Sequence, residues 1–250
     1  MPGTQYRVPS KQALKKLATE PWKLATDFMT WIKICGITNL EDALTAVEAG
    51  ADALGFVFYE KSPRKIDVET ARDIVKKLPA KIEKVGVFVD SDAVRVRDIA
   101  AHAGLTAAQF HGKLSEELSR DLRSGGDAAG GAKLILTVPG DTLREGGFFI
   151  GLPHQGFFAI LVDSRSDTMP GGTGNTFDWG TTCEAIQGIS QLVPVIVAGG
   201  LTPWNVGEAI RLFRPFGVDV ASGVEARPGK KDPAKVRAFV SAVRAAGKPT

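Results

Sequence analysis

From Trp31 onward the chain alternates short apolar runs with segments of helical period. Eight runs stand out: Trp31–Cys35, Ala53–Phe58, Lys84–Val89, Ala107–Phe110, Lys133–Thr137, Phe158–Asp163, Val193–Ala198 and Val218–Ala221. Nearly continuous apolar runs of strand length predict strands covered on both faces, as in a parallel sheet. Helices are predicted between them, over Leu40–Ala49, Val68–Leu78, Ala93–Ala103, Ser115–Arg123, Thr181–Ile189, Pro203–Leu212 and Pro233–Ala246. Asn39 and Asp92 stand where N-caps belong, and Gly50 and Gly104 where helices should stop. Pro203 and Pro233, after Thr202 and Asp232, suit first helical positions. The fifth crossover is poor: small residues fill Gly125–Gly131, and Asp141–Gly156 holds at most a short helix.

Eight strand–helix units in one chain of 250 residues predict an α/β fold, a single closed (β/α)8 TIM barrel. No GxGxxG follows the first strand, so a doubly wound dinucleotide fold is disfavoured. No composition break marks a second domain, which makes residues 31–250 the barrel and residues 1–30 an N-terminal extension. In that extension Met1–Pro9 is polar, and Ser10–Ala18 could form a short basic amphipathic helix. It could dock on the barrel, stay loose or address an organelle; Glu20, Asp27 and the scarcity of arginine argue against the last.

Composition narrows the partners. A formal charge of +3 with scattered Lys and Arg gives no nucleic-acid footprint. No apolar run approaches the roughly 18 residues of a membrane span. Cys35 and Cys183 lie far apart in no metal-like spacing, so neither a disulfide framework nor a zinc site is expected, and a reducing cytoplasm fits.

In such barrels the chemistry collects at the C-terminal strand ends. Asp163 ends the run Phe157–Val162, and Gly171-Gly172-Thr173-Gly174 follows shortly after. A carboxylate at the end of a buried strand needs a partner or a task. The Gly172-Thr173-Gly174 stretch, Gly199-Gly200 and Ser222-Gly223 all sit where backbone N–H groups could cradle a phosphate. The plainer reading is that these glycines only make tight turns. Cys35 stands at the first strand's mouth as either a small buried hydrophobe or a reactive thiol. Arg64, taken alone, reads as a solvated surface arginine.

Together these stretches resemble the phosphoribosylanthranilate isomerase family of tryptophan biosynthesis. The resemblance rests on Lys33-Ile34-Cys35-Gly36-Ile37-Thr38, Gly55-Phe56-Val57-Phe58 with Ser62-Pro63-Arg64, and Val85–Val89. It continues through Gln109-Phe110-His111-Gly112, Asp163 with Gly171–Gly174 and Phe177-Asp178-Trp179, Ala198–Leu201, and Gly217–Val220 through Gly223–Glu225 to Lys231-Asp232. It implies an Amadori rearrangement without a metal or organic cofactor. It makes Cys35 the general base and Asp163 the general acid. It assigns Arg64 to the anthranilate carboxylate, and His111, Gly172, Thr173, Gly174, Gly200, Ser222 and Gly223 to substrate contacts. Lys33, two residues before Cys35, should point to the same interior side and favour its thiolate, while burial opposes this. Partners are expected to stop at a small phosphorylated substrate, with no nucleic acid or membrane, in a cytoplasmic monomer or homodimer. Three other readings stand beside this one: the sister sugar isomerase of histidine biosynthesis, a dual-substrate barrel, and a barrel that binds phosphorylated ligands without turnover.

Overall fold

The computed structural model describes residues 29–112, 132–140, 142–145, 157–163 and 179–247. Eight parallel strands close a barrel in sequence order: β1 (Trp31–Cys35), β2 (Ala53–Val57), β3 (Glu83–Val89), β4 (Ala107–His111), β5 (Lys133–Pro139), β6 (Ala159–Asp163), β7 (Val195–Ala198) and β8 (Gly217–Val220). Closure is the β1–β8 pairing, with Trp31 opposite Gly217 and Ile34 opposite Val220. Every residue of β2, β7 and β8 is buried, as the nearly continuous apolar runs require of strands covered on both faces. The predicted helix over Ser115–Arg123 lies outside the described residues.

Helices α1 (Leu40–Ala49), α2 (Val68–Val75), α3 (Ala93–Ala103), α4 (Trp179–Ser190), α5 (Val206–Phe213) and α6 (Pro233–Ala246) surround the sheet. The side chains of Asn39, Asp67, Asp92 and Asp232 accept backbone N–H groups at the starts of α1, α2, α3 and α6. Each such cap is worth about 1 kcal/mol. Two helix boundaries differ from the sequence reading by three residues, the others by two at most. α2 stops at Val75 rather than Leu78, because Lys77 and Leu78 bond three residues back, to Ile74 and Val75, in a tightened last turn before Pro79. α5 begins at Val206, not Pro203. Asn205 holds the preceding turn, accepting from Thr202 N at 2.8 Å and donating to the Gly200 carbonyl at 3.0 Å.

The fifth crossover has a 3₁₀ turn at Thr142–Glu145. After β8 come a second 3₁₀ turn (Ser222–Val224) and a small antiparallel hairpin, β9 (Glu225–Arg227) with β10 (Lys230–Lys231). Inside the barrel, Ala53, Val85, Ala107, Ile135, Ala159, Leu161, Ile196 and Ala198 form an apolar layer. Trp31, Phe158 and Phe216 pack ring on ring below it, at the N-terminal strand ends. Among the described residues no helix is long and apolar enough to cross a membrane.

Candidate active site

Alternation along the strands turns every second side chain inward, and the upper interior of this barrel is polar. Lys33 is fully buried; its ammonium donates to Gln109 Oε1 at 2.7 Å and to Asp219 Oδ1 at 3.0 Å, linking β1 to β4 and β8. An ammonium can only donate, so the Gln109 oxygen must face it and the amide NH2 must face the other way. That NH2 lies 3.1 Å from Thr137 Oγ1 and 2.9 Å from His111 Nε2. His111 Nε2 is thereby an acceptor, and the ring's proton sits on Nδ1.

Cys35 lies one layer higher, 8 % exposed, packed with Val57 and Val87 and flanked by Tyr59 and Ala221. Strand β2 makes room for it: a Cβ on Gly55 would stand 2.7 Å from Cys35 Sγ. Burial pushes the thiol above its ordinary pKa of 9.0. The nearby charges of Lys33 and Lys231 pull it down, and Asp219 pushes it up. The sequence places Lys33 beside the thiol as a pull toward thiolate; in the fold, burial outweighs that pull. Asp163, half-buried, ends β6 level with Pro139 of β5 and Ala198 of β7. It reaches the same rim as Cys35, three strands round the ring.

Arg64 follows β2 and is not a solvated surface residue. Its side chain is 12 % exposed, and Nε and Nη2 grip Glu225 at 2.8 and 2.7 Å. That fork is the main reason the guanidinium holds its proton even more firmly than usual. Glu225 in turn receives Lys231 Nζ at 3.0 Å.

Also on the rim, Gly200 (φ +64°) and Ser222-Gly223 come together. A Cβ on Gly223 would stand 1.9 Å from the Leu201 carbonyl oxygen, so the loops after β7 and β8 touch backbone to backbone. Asn205, through Gly200 O, fixes one of them. Gly172, Thr173 and Gly174 lie outside the described residues. Gly223→Ala must push the two loops apart, because the obstructing atom is backbone and cannot rotate away. The expected result is a KM for phosphorylated substrate raised about ten-fold or more, comparable to one lost charge-assisted hydrogen bond, with kcat less affected. Steady-state kinetics check this, and an unchanged KM would argue against a phosphate-holding role for these loops.

The structure thus brings Lys33, Cys35, Gln109, His111 and Asp219 to one interior and sets Arg64, Asp163, Gly200, Ser222 and Gly223 around its rim. Thr137, Asn205, Glu225 and Lys231 join them, none of which carries a role in the sequence reading. Among the described residues no group of three or more His, Cys, Asp or Glu could hold a metal ion.

Three comparisons meet on this arrangement. The family model for N-(5'phosphoribosyl)anthranilate (PRA) isomerase matches residues 32–242. The N-(5'-phosphoribosyl)anthranilate isomerase of Desulforudis audaxviator is 47% identical over 220 residues, covering 87% of this chain and 100% of that protein. That of Pseudomonas aeruginosa is 43% identical over 215 residues, covering 85% and 94%. The crystal structure of phosphoribosyl anthranilate isomerase from Thermotoga maritima superposes with a TM-score of 0.73 at 40% identity, covering 87% of this chain and all of that one. Another structure of such an isomerase, 39% identical with a TM-score of 0.69, holds reduced 1-(o-carboxyphenylamino)-1-deoxyribulose 5-phosphate; it too covers 87% of this chain. The family match spans the barrel from β1 to α6, and with it every polar group just described, so the chain belongs to the N-(5'-phosphoribosyl)anthranilate isomerase family.

Proposed function

We infer that this chain catalyses the Amadori rearrangement of N-(5-phosphoribosyl)anthranilate to 1-(2-carboxyphenylamino)-1-deoxy-D-ribulose 5-phosphate, a step of tryptophan biosynthesis. One observation carries the reading: a thiol at the mouth of β1 and a carboxylate at the mouth of β6 share the rim of a barrel that matches this family from residue 32 to 242. The ligand held by the 39% identical isomerase, a phosphate joined to a carboxyphenylamino group, supports it.

Asp163, protonated, gives its proton to the ribose ring oxygen as the bond from that oxygen to C1′ breaks, leaving an iminium. Cys35, as thiolate, takes the proton from C2′. The released electron pair forms the C1′–C2′ double bond of an enolamine, which tautomerises to the ketone. No atom is gained or lost, so no co-reactant is needed. Each transfer is worth about 10²–10⁴-fold when donor and acceptor are matched to the working pH. Gly172, Thr173, Gly174, Gly200, Ser222 and Gly223 hold the phosphate, Arg64 holds the ring carboxylate, and His111 contacts the sugar between them. Fixing both ends keeps the C2′ proton within reach of the thiolate and the ring oxygen within reach of the acid.

The histidine-pathway chemistry pairs two aspartates, and a thiol at the end of β1 does not serve it. The test is direct. Purified protein mixed with phosphoribosylanthranilate should change the anthranilate-type fluorescence in a first-order progress curve, and a constant signal would overturn the assignment. The isomerase unit is residues 31–250, working in the cytoplasm as a monomer or homodimer, and residues 1–30 are an appendage to it. Removing residues 1–29 should leave kcat within a few-fold of the full chain; loss of activity would make the appendage part of the unit.

A further inference from the structure

An arginine that is to grip a ligand's carboxylate needs one edge of its guanidinium fixed and another open. In Arg64 the side edge, Nε with Nη2, is taken by the two oxygens of Glu225. Among the described residues no acceptor takes Nη1, so they leave the end edge, Nη1 with the second hydrogen of Nη2, open. The stem is fixed as well. It lies across Gly36, whose φ of +78° favours glycine and whose added Cβ would stand 2.6 Å from Arg64 Cδ. That contact brings the arginine beside Cys35.

Glu225 is held more tightly than a surface ion pair would be. Its side chain is 5% exposed, and Oε1 receives Lys231 Nζ at 3.0 Å and Gly229 N at 3.3 Å besides Arg64. Lys231, fully buried, also donates to the Ala221 carbonyl at 3.1 Å, and its backbone N–H donates to Asp42 Oδ2 at 2.7 Å. Thr38 Oγ1 donates to the Gly229 carbonyl at 2.6 Å. The β9–β10 hairpin is thereby tied to the loop after β1 and the start of α1, and through Glu225 it reaches the loop after β2.

We propose that Glu225, held by Lys231, is the positioning residue that presents the open edge of Arg64 to the ring carboxylate of the substrate. This rests on the role given to Arg64 above. A planar carboxylate meets that edge with two parallel hydrogen bonds, so Glu225 sets the grip on the anthranilate end without touching it.

The test compares wild type, Arg64→Ala, Glu225→Gln and the double variant on two substrates: phosphoribosylanthranilate and the aniline-derived analogue lacking the ring carboxylate. Glutamine keeps the shape of Glu225 but turns an NH2 against one arginine donor. On the full substrate, Glu225→Gln should raise KM about ten- to a hundred-fold, the loss of one charge-assisted hydrogen bond, with kcat within a few-fold. On the analogue the penalty should shrink to about two-fold, and in the Arg64→Ala background it should vanish. Equal losses on both substrates, or additive losses in the double variant, would reduce Glu225 to a structural ion pair and overturn the proposal. If Arg64→Ala itself shows no carboxylate-dependent loss, the role of Arg64 falls and the positioning role falls with it. Should Glu225→Gln not fold, Glu225→Asp serves: it keeps the charge for Lys231 but is too short to span both arginine donors, and the same dependence on the ring carboxylate is expected.

Discussion

Cys35→Ala and Asp163→Asn should each lower kcat by about 10²-fold or more while leaving KM within a few-fold, because each removes a proton transfer rather than a binding contact. Cys35→Ala removes only a sulfur and strands no charge, so that variant should unfold near the wild-type temperature. The thiol supplies a pH signature. Burial holds Cys35 above the usual thiol value of 9.0, so the thiolate needed as base grows in only at alkaline pH. The rate of iodoacetamide alkylation should therefore keep rising with pH beyond about 9, where an ordinary thiol would level off. The basic form of the free enzyme should make kcat/KM rise over the same range. Bound product should slow alkylation. Full activity in Cys35→Ala would return Cys35 to the role of a small buried hydrophobe and remove the proposed base.

What the sequence reveals of this site follows from where its residues lie. Strands give a period-two signal, and Lys33 and Cys35, two apart on β1, are legible as neighbours on one interior side. The same spacing relates Gln109 to His111, and Asp219 lies opposite Lys33 in register with β1. Applied to every strand, the rule would have gathered this polar interior. It could not have told which pairs touch, because a contact from β1 across to β4 depends on the stagger of the closed barrel. Glu225 and Lys231 lie in a tight hairpin where no periodicity operates, and nothing in the local pattern marks two charged residues of a polar stretch as buried. Their burial comes from Arg64 and Asp42, more than 150 positions away in the chain. Pro203 misleads for a local reason: a proline suits a first helical turn, but the Asn205 side chain closes a competing turn first. The Asn39, Asp92 and Asp232 caps were legible because each interaction is complete within about three residues.

Lys33→Met and Asp219→Asn should destabilise the fold alike yet move the Cys35 thiol in opposite directions. The Lys33–Asp219 pair is buried, with side-chain exposures of 0% and 11%. Breaking such a pair by removing one partner costs about 3–5 kcal/mol, since the other charge is left without compensation. In Lys33→Met, Gln109 Oε1 also loses its donor. For a chain of this size the melting temperature should fall by on the order of 10 °C in either variant. The thiol distinguishes them. Lys33 is the strongest influence holding the Cys35 pKa down, and Asp219 is a smaller one holding it up. Lys33→Met should thus slow alkylation at neutral pH and carry the rising limb of kcat/KM to higher pH. Asp219→Asn should speed alkylation, because the thiolate becomes the partner of an ammonium that has lost its own. The wild type carries a further linkage. Burial alone would lower the Lys33 pKa, but Asp219 and Cys35 together raise it above 10.5. The pair's contribution to stability is therefore fully present below the unfolded lysine's value and is lost as pH rises through the folded one. Wild type should lose stability in that alkaline window, and Lys33→Met should not show the same fall. Paired melting curves and alkylation rates check all three signs, and a thiol that moves the same way in both variants would show that Lys33 and Asp219 do not govern Cys35 through charge.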